Sequence, residues 1–371
     1  MTINLTAHQA RLLRMRAQQL SNPRPVQAPE EVLRQIFAVQ AQDLPASYLS
    51  LRARSGGFTA DQVAHERQFG SEICWRWSLR GTLHLITAAD ARWLIPLLSA
   101  DLIAWDRLRL TQLGYTENTA QKGVEVIRRA IEQHGELTRI EIAQNLKDQQ
   151  LPFEGQATVH ILFRAVCEGA ICPGADRGKK PTYTQFAKRY GVLDPRPRLV
   201  ALTELALRYL AAYAPARPED FAVWSGVKIS EVRPLWQSLT DQMLPVDVEG
   251  APNWILRSQS TWLESLESQP PVLRLLPRFD TYLLGYANRD NLIDPIFNKK
   301  LFKGGGTISA VAVLDGWVIG VWKATPKGKS LELTVEWFEN QPDALIPAIE
   351  AEAADFARFL ARPVTVKIQQ P

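Results

Sequence analysis

Residues 137–143 read LTRIEIA, and this short segment decides the predicted fold. Thr138 can cap a helix and Glu141 follows three residues later, which is the capping-box pattern of a helix start. Helical patterns also fit residues 119–133 before the segment and 156–168 after it. Turn-forming residues then interrupt 171–186, which predicts a hairpin. Helices followed by a tight hairpin are the order of a winged helix.

The same order of helices and hairpin is predicted on either side of this unit. Toward the N-terminus, helices through residue 69 precede strands at 73–78 and 82–86. Toward the C-terminus, helices at 199–214, 217–224 and 229–239 precede strands at 244–248 and 254–256. The three units share this order but little sequence identity. We therefore predict an internal repeat of winged-helix (helix-turn-helix) units.

From residue 272 onward the pattern changes to β. Short strands are predicted at 273–276, 282–286, 307–314, 317–324, 331–337 and 364–368, with an amphipathic helix at 342–360. Asp315-Gly316 is a strong hairpin-turn signal. We expect a small barrel-like or α+β terminal domain. The predicted class is α+β, with domains at 1–115, 116–195, 196–270 and a β-rich domain at 271–371.

Composition narrows the class of protein. With 371 residues, 46% of them hydrophobic and 22% charged, the chain is expected to be soluble and globular, with more than one core. A net charge of +4 permits an anionic partner without requiring one. Three cysteines show neither a disulfide framework nor a zinc spacing. The N-terminus lacks the pattern of a secretory signal and no apolar run is long enough to span a bilayer, so we expect a cytoplasmic protein.

Common catalytic motifs are poorly supported. Gly304-Gly305-Gly306 follows Lys303 but lacks the lysine and hydroxyl of a phosphate loop. The five histidines have no metal-ligand spacing, and no serine sits in a nucleophile elbow. We therefore predict neither a metal nor a cofactor.

Basic residues cluster in two places. Between Asp176 and Arg198, seven basic and two acidic residues give a local charge of +5 (7 − 2). The seven are Arg177, Lys179, Lys180, Lys188, Arg189, Arg196 and Arg198. A lysine pair at a wing tip would suit phosphate contacts, but a solvated loop fits the residues equally well.

The second cluster holds Lys299, Lys300 and Lys303, interleaved with Phe297 and Phe302. Such a loop could probe a DNA groove or stack on bases. A loop with buried phenylalanines is slightly favoured by the residues alone.

Arg80 and His84 lie in the first predicted hairpin. Strand alternation puts Thr82 and His84 on one face, and a satisfied, partly buried histidine is favoured over a catalytic one. Asp280 likewise fits a structural role better than a catalytic one.

Two glutamines, Gln40 and Gln42, stand where an apolar helical pattern gives way to Asp43 and Pro45. Pro45 disfavours helical geometry at the residue before it, so we predict that the helix ends near Gln42. In an extended exit, side chains two positions apart point the same way. Such a pair could hold one water or one polar ligand. Spacing alone favours the alternative, in which the amides bond to nearby backbone.

These motifs together resemble the winged-helix DNA glycosylases of the AlkZ/YcaQ family. The resemblance rests on VQAQD at 39–43, LRGTLHL at 79–85 and LPRFDTYLLGY at 276–286, and covers nearly the whole chain in matching order. It implies tandem winged helices around a concave DNA channel. It also implies a catalytic motif of glutamine, an apolar residue, then glutamine or aspartate. Gln40 and Gln42 match the AlkZ-like form, whereas the YcaQ-like branch has aspartate at the second position.

The resemblance implies a monofunctional glycosylase that releases alkylated guanine from double-stranded DNA and acts as a monomer, with Gln40 and Gln42 catalytic. Members of the AlkZ-like branch excise alkylated guanines, and some unhook interstrand crosslinks. The lysine-rich loop falls where the family has a DNA-probing hairpin. The predicted DNA contacts are Arg80, His84, Arg177, Lys179, Lys180, Lys299, Lys300 and Lys303. The alternative is a non-enzymatic winged-helix regulator in which the glutamines merely end a helix.

Overall fold

A computed structural model describes residues 3–21, 23, 25–266, 270–304 and 306–371. Gly305 of the glycine run lies outside the described residues. The chain divides into two units, a first one of Met1–Val63 with Thr203–Pro371 and a second one of Ala64–Leu202.

Helices make up much of both units. They are α1 (Ala7–Ala17), α2 (Pro29–Ile36), α3 (Leu44–Arg52), α4 (Ala60–Phe69), α5 (Ala88–Gln112), α6 (Glu117–His134), α7 (Arg139–Asp148), α8 (Gln156–Cys167), α9 (Phe186–Tyr190), α10 (Arg198–Tyr213), α11 (Pro218–Ser225), α12 (Ile229–Ser238), α13 (Thr281–Leu284), α14 (Asn298–Leu301) and α15 (Ile346–Leu360). Short 3-10 helices cover Leu79–Gly81, Arg257–Ser265, Pro295–Phe297 and Asp343–Leu345.

The strands alternate with these helices along the chain. They are β1 (Ile3–Leu5), β2 (Ala38–Gln40), β3 (Ile73–Trp77), β4 (Leu83–Thr87), β5 (Leu137–Thr138), β6 (Ile171–Pro173), β7 (Thr182–Gln185), β8 (Met243–Val248), β9 (Ala251–Leu256), β10 (Leu273–Leu276), β11 (Ala310–Leu314), β12 (Trp317–Lys327), β13 (Ser330–Trp337) and β14 (Val364–Gln369). The predicted α+β class is confirmed.

Threonine side chains cap the starts of several helices, among them the helix predicted after Thr138. The Thr138 hydroxyl accepts a hydrogen bond from the Glu141 backbone, and the Glu141 carboxylate accepts one from the Thr138 N–H, so the predicted capping box is present. Thr87 caps α5, which then runs unbroken to Gln112. Such caps satisfy N–H groups that have no partner inside a helix. These helix starts can therefore be predicted from local sequence.

The second unit contains two antiparallel hairpins. β3 pairs with β4 across the Leu79–Gly81 turn. β6 pairs with β7 after α6, α7 and α8, and β5 adds to the other side of β7. Buried Ile127, Ile142 and Ile161, one from each of these three helices, share one core. The predicted hairpins at 73–86 and 171–186 are confirmed, while their assignment to winged-helix units stays a prediction.

In the first unit, α10, α11 and α12 precede the β8–β9 hairpin, as predicted, and β1 pairs parallel with β8. Tyr209, Phe221 and Trp224 pack their rings together between the helices.

The C-terminal sheet has the order β10-β11-β12-β13-β14 and is open, so the expectation of a barrel-like domain was wrong. β14 pairs parallel with β13 after the α15 crossover, which leaves β14 at one edge and β10 at the other. Parallel neighbours need such a crossover, and this one packs its helix on the sheet. Buried Ile349, Ala353 and Phe356 of α15 form a core with the strands. Asp315 and Gly316 make the predicted β11–β12 turn, both with positive φ.

The strand predicted at 282–286 was also wrong, because residues Thr281–Leu284 form the helix α13. The Asp280 side chain accepts a hydrogen bond from the Tyr282 N–H at 2.9 Å and so caps this turn. The hydroxyls of Tyr282 and Tyr286 donate to the backbone carbonyls of Gly316 and Tyr213. These distant partners stabilise a helical turn in an apolar stretch whose composition suggests a strand.

The helix before the glutamines ends at Ile36 and not near Gln42, which corrects the prediction. Phe37 has a φ of 72°, and the chain then continues as the strand β2. The Phe37 ring is fully buried, 5.8 Å from the Trp224 ring and beneath the Arg208 guanidinium. Pro45 does not end α2; it lies in the first turn of α3, where proline is favoured.

Candidate active site

Gln40 and Gln42 project together from the end of β2. Gln40 is the last residue of the strand, and its Nε2 donates a hydrogen bond to Gln42 Oε1 at 2.9 Å. Gln40 is 8% exposed, whereas Gln42 is exposed. This is the geometry expected of an extended exit, where alternate side chains share a direction. The pair therefore presents one exposed amide whose orientation is held by a buried one.

Asp43 anchors the segment that carries Gln42. Its Oδ1 accepts a hydrogen bond from the Ala46 N–H at 3.1 Å and caps α3. Its Oδ2 lies 3.3 Å from Arg278 Nη1. One carboxylate thus fixes both the start of α3 and the chain immediately after Gln42. This role of Asp43 was not predicted, although aspartate two residues before proline is a recognisable helix-start pattern.

A buried ionic network stabilises α3 behind the glutamines. Arg54 donates to both carboxylate oxygens of Asp280, at 2.9 and 2.8 Å, and both side chains are fully buried. The same guanidinium donates to Gln18 and Thr281. The structural role predicted for Asp280 agrees with these contacts. Because both side chains are buried, removing either partner would leave the other charge buried and unpaired.

A second buried arginine joins α3 to the C-terminal sheet and helix. Arg52 is 2.9 Å from both Glu352 and Asp355 of α15, and it donates to the Leu275 carbonyl of β10. Single-sequence patterns do not reveal such pairs, since their members are about 220 to 300 residues apart.

Arg80 and His84 belong to the second unit. Arg80 is exposed in the β3–β4 turn with a φ of 56°. His84 is 3% exposed, and its Nδ1 donates to the Thr82 carbonyl at 3.0 Å. Burial, together with the charge of Arg80, lowers the pKa of His84 to about 3. The histidine is therefore neutral at physiological pH. A DNA contact by His84 stays a prediction, now restricted to the uncharged ring.

The first basic cluster, also in the second unit, separates into paired and unpaired cations. Arg177 pairs with Glu141 at 2.7 Å and donates to the Glu136 carbonyl. Arg189 donates to three backbone carbonyls, and Arg196 pairs with Asp194. Lys179 and Lys180 are exposed at the β6–β7 tip, with no ion pair among the residues that the structure describes. Two of the seven predicted cations thus form an exposed tip.

The second basic cluster, in the first unit, is partly ordered by its aromatic neighbours. Lys300 pairs with Glu336 at 2.9 Å, while Lys299 and Lys303 are exposed. Phe297 stacks on Phe338 with ring centroids 4.4 Å apart, and Arg289 lies over the Phe302 ring. Both phenylalanines are partly buried, and these ring contacts hold the lysine-rich segment against the rest of the unit. Phe302 also forms an antiparallel bridge with Ile308.

The described part of the chain shows neither a candidate metal-ligand cluster nor a candidate membrane span. No group of three or more potential metal ligands occurs among those residues. No helix within the described ranges is long and apolar enough to cross a membrane.

Known proteins resemble this chain over nearly its full length. The sequence model of the family described as DNA glycosylase AlkZ-like matches residues 33–359. An interstrand DNA cross-link repair glycosylase from Streptomyces sahachiroi is 29% identical over 355 residues, which span 92% of this chain and 93% of that protein. The solved structure of Streptomyces sahachiroi DNA glycosylase AlkZ has a TM-score of 0.85 at 26% identity, and the match covers 99% of this chain and 100% of that one.

The family match confirms the prediction made from the three motifs and sets aside the non-enzymatic alternative. A glycosylase hydrolyses the N-glycosidic bond between a base and its sugar. The chain belongs to the AlkZ-like family of DNA glycosylases.

Proposed function

We propose that this glycosylase hydrolyses the N-glycosidic bond of cationic alkylated guanine in double-stranded DNA. A guanine alkylated on an imidazole nitrogen carries a positive charge, so it can leave without protonation by a general acid. The enzyme then has to position a water and stabilise an oxocarbenium-like sugar. Amides can do both by orientation and dipole, but they are not bases at neutral pH. The substrate must therefore supply its own leaving-group activation.

The observation that carries this proposal is the hydrogen bond from Gln40 Nε2 to Gln42 Oε1. An amide oxygen has two lone pairs, so Gln42 Oε1 can accept a second hydrogen bond from a water. In this proposal Gln42 positions the water, and Gln40 holds the Gln42 amide in orientation. The residues 39–43 contain no lysine that could form a Schiff base. We therefore propose an abasic site as the product, without strand cleavage.

DNA binding, in this proposal, uses three winged-helix units arranged around a concave channel, within domains at 1–115, 116–195 and 196–270, followed by the C-terminal domain. Exposed Lys179 and Lys180 suit phosphate contacts. The further proposed contacts are Arg80, His84, Arg177, Lys299, Lys300 and Lys303. We propose that the protein acts as a monomer. The similarity to an interstrand DNA cross-link repair glycosylase from Streptomyces sahachiroi supports extending the proposed substrates to interstrand crosslinks.

Gln40→Ala and Gln42→Ala test the proposal. Each variant should lower single-turnover release of N7-methylguanine by about 100- to 1,000-fold, the usual cost of removing one positioned dipole. Duplex affinity should stay within about twofold, since the amides are assigned to the water and not to the phosphates. Gln341→Ala, which removes a side-chain amide whose Nε2 donates to the Glu339 carbonyl, is the matched control. Release at the wild-type rate by both active-site variants would overturn the assignment.

A further inference from the structure

A groove of about 640 Å³ begins at the residue that follows Gln42. It lies within the first unit, between the N-terminal turns of α3, residues 277–278, Lys303, residues 307–310 and strands β12 and β13. Its lining residues include Asp43, Leu49, Arg278, Lys303, Trp322 and Ala324. The groove is thus continuous with the candidate active site through Asp43.

The floor and the rim of the groove differ in chemistry. Leu49, Ile308, Val321 and Trp322 contribute apolar surface, and the Trp322 N–H already donates to the Leu276 carbonyl. The rim carries exposed Lys303 and Lys323, which have no ion pair among the described residues. The two acids that line it, Asp43 and Glu336, lie close to Arg278 and Lys300. The groove therefore combines an apolar floor with a cationic rim.

Its size points to an occupant larger than a methyl group. Pockets of roughly 300–1,000 Å³ hold drug-sized organic molecules. A methylated guanine differs from guanine by one small group, and this group would leave most of the groove unfilled. A guanine with a bulky substituent would carry an organic group of suitable size beside the glycosidic bond.

We propose that this groove binds the bulky, apolar substituent of an alkylated guanine while Gln42 faces the glycosidic bond. The inference rests on the proposed function, and it adds a subsite that selects among alkylated guanines. Lys303 and Lys323 suit polar or anionic atoms at the outer end of the substituent. An occupied groove would hold the reacting nucleotide in register with the glutamines, and so raise the rate for bulky adducts.

Ala324→Trp tests the subsite by filling the groove from an exposed position on β12. Two duplexes are compared, one with N7-methylguanine and one with guanine bearing a biphenylmethyl group at N7. The variant should release the bulky base at least about 10-fold more slowly than wild type, the scale of one obstructed pocket contact. Release of N7-methylguanine should stay within about twofold of wild type. Ala354→Trp, on an exposed face of α15 outside the groove, is the control and should match wild type for both.

Ser309→Phe obstructs the groove from the segment that precedes β11 and repeats the test if the first variant does not fold. If a groove variant slows the release of both bases equally, and its duplex affinity falls in proportion, then the groove contacts the DNA backbone. That result would overturn the proposal. Wild-type enzyme that releases N7-methylguanine but not the bulky base would also overturn it. Wild-type enzyme that releases neither would defeat the proposed function itself, so the two failures are distinguishable.

Discussion

At the scale of single residues, the proposed chemistry depends on two side chains that do not titrate near neutral pH. Gln42 presents an exposed amide, and Gln40 donates to its oxygen from a buried position. A water positioned by such a pair gains orientation and a favourable dipole but no proton acceptor. The rate should therefore depend little on pH around neutrality, which distinguishes this site from one built on a carboxylate base.

Gln42→Glu should release N7-methylguanine at least as fast as wild type above about pH 6. The new carboxylate keeps the acceptor for Gln40 Nε2 and adds a negative charge facing the oxocarbenium-like sugar. Its rate should fall below about pH 4.5, where a glutamate side chain takes up a proton. A single-turnover pH–rate profile, corrected for enzyme-free release, measures both effects.

Gln42→Met is the matched control, because it keeps the length of the side chain and removes its dipole. This variant should be slow at every pH. If Gln42→Glu is equally slow, the residue does not act through an acceptor oxygen, and the proposed water position is wrong.

At the scale of elements, the β3–β4 hairpin buries a neutral histidine. The pKa of His84 is lowered to about 3 by burial and by the nearby Arg80, against about 6.5 in an unfolded chain. Between these values the unfolded state binds a proton that the folded state does not. The stability that depends on a neutral His84 is therefore fully present above about pH 6.5 and is lost as the pH falls toward 3.

His84→Gln should weaken this pH dependence. Between pH 7 and pH 5, the free energy of unfolding of wild type should fall by about 2 kcal/mol more than that of the variant, because pH 5 lies about 1.5 units below the unfolded pKa. Urea unfolding at the two pH values measures the difference. His134→Gln changes an exposed histidine at the end of α6 and should behave as wild type. An identical pH response in wild type and His84→Gln would show that His84 takes up no extra proton on unfolding.

At the scale of the whole molecule, a net charge of +4 says little about DNA affinity. What matters is which cations stay available after folding. Arg189 and Arg196 bond within the protein, whereas Lys179 and Lys180 extend from the β6–β7 tip. Each phosphate contact by such a lysine releases counterions and steepens the dependence of affinity on salt.

The double variant Lys179→Ala, Lys180→Ala should reduce the slope of log affinity against log salt concentration by about 2, close to one unit for each lost phosphate contact. Affinity should fall equally for duplexes of different sequence, because phosphate contacts carry no sequence information. Fluorescence anisotropy over a salt series measures the slope. Arg196→Gln, which removes a cation already paired with Asp194, should leave the slope unchanged. A wild-type slope in the lysine variant would remove this tip from the DNA-binding surface.

The sequence by itself determined the family, the order of helices and hairpins, and most helix starts. Thr87, Thr138 and the Asp315-Gly316 turn act through neighbours within a few residues, so their effects can be predicted locally. A shared direction for Gln40 and Gln42 was one of two alternatives, because an extended chain repeats its side-chain direction every two residues, but spacing alone favoured bonds to nearby backbone.

Only the tertiary structure decided where α2 ends, which residues near Tyr282 are helical, and which cations are paired. Phe37 turns the chain because its ring is buried against Trp224, far away in sequence. Arg54 meets Asp280 across 226 residues, and Lys300 meets Glu336 across 36. The sheet stays open because α15 carries the chain to an outer edge. Contacts between distant residues form only when the chain is folded, so local patterns do not contain them.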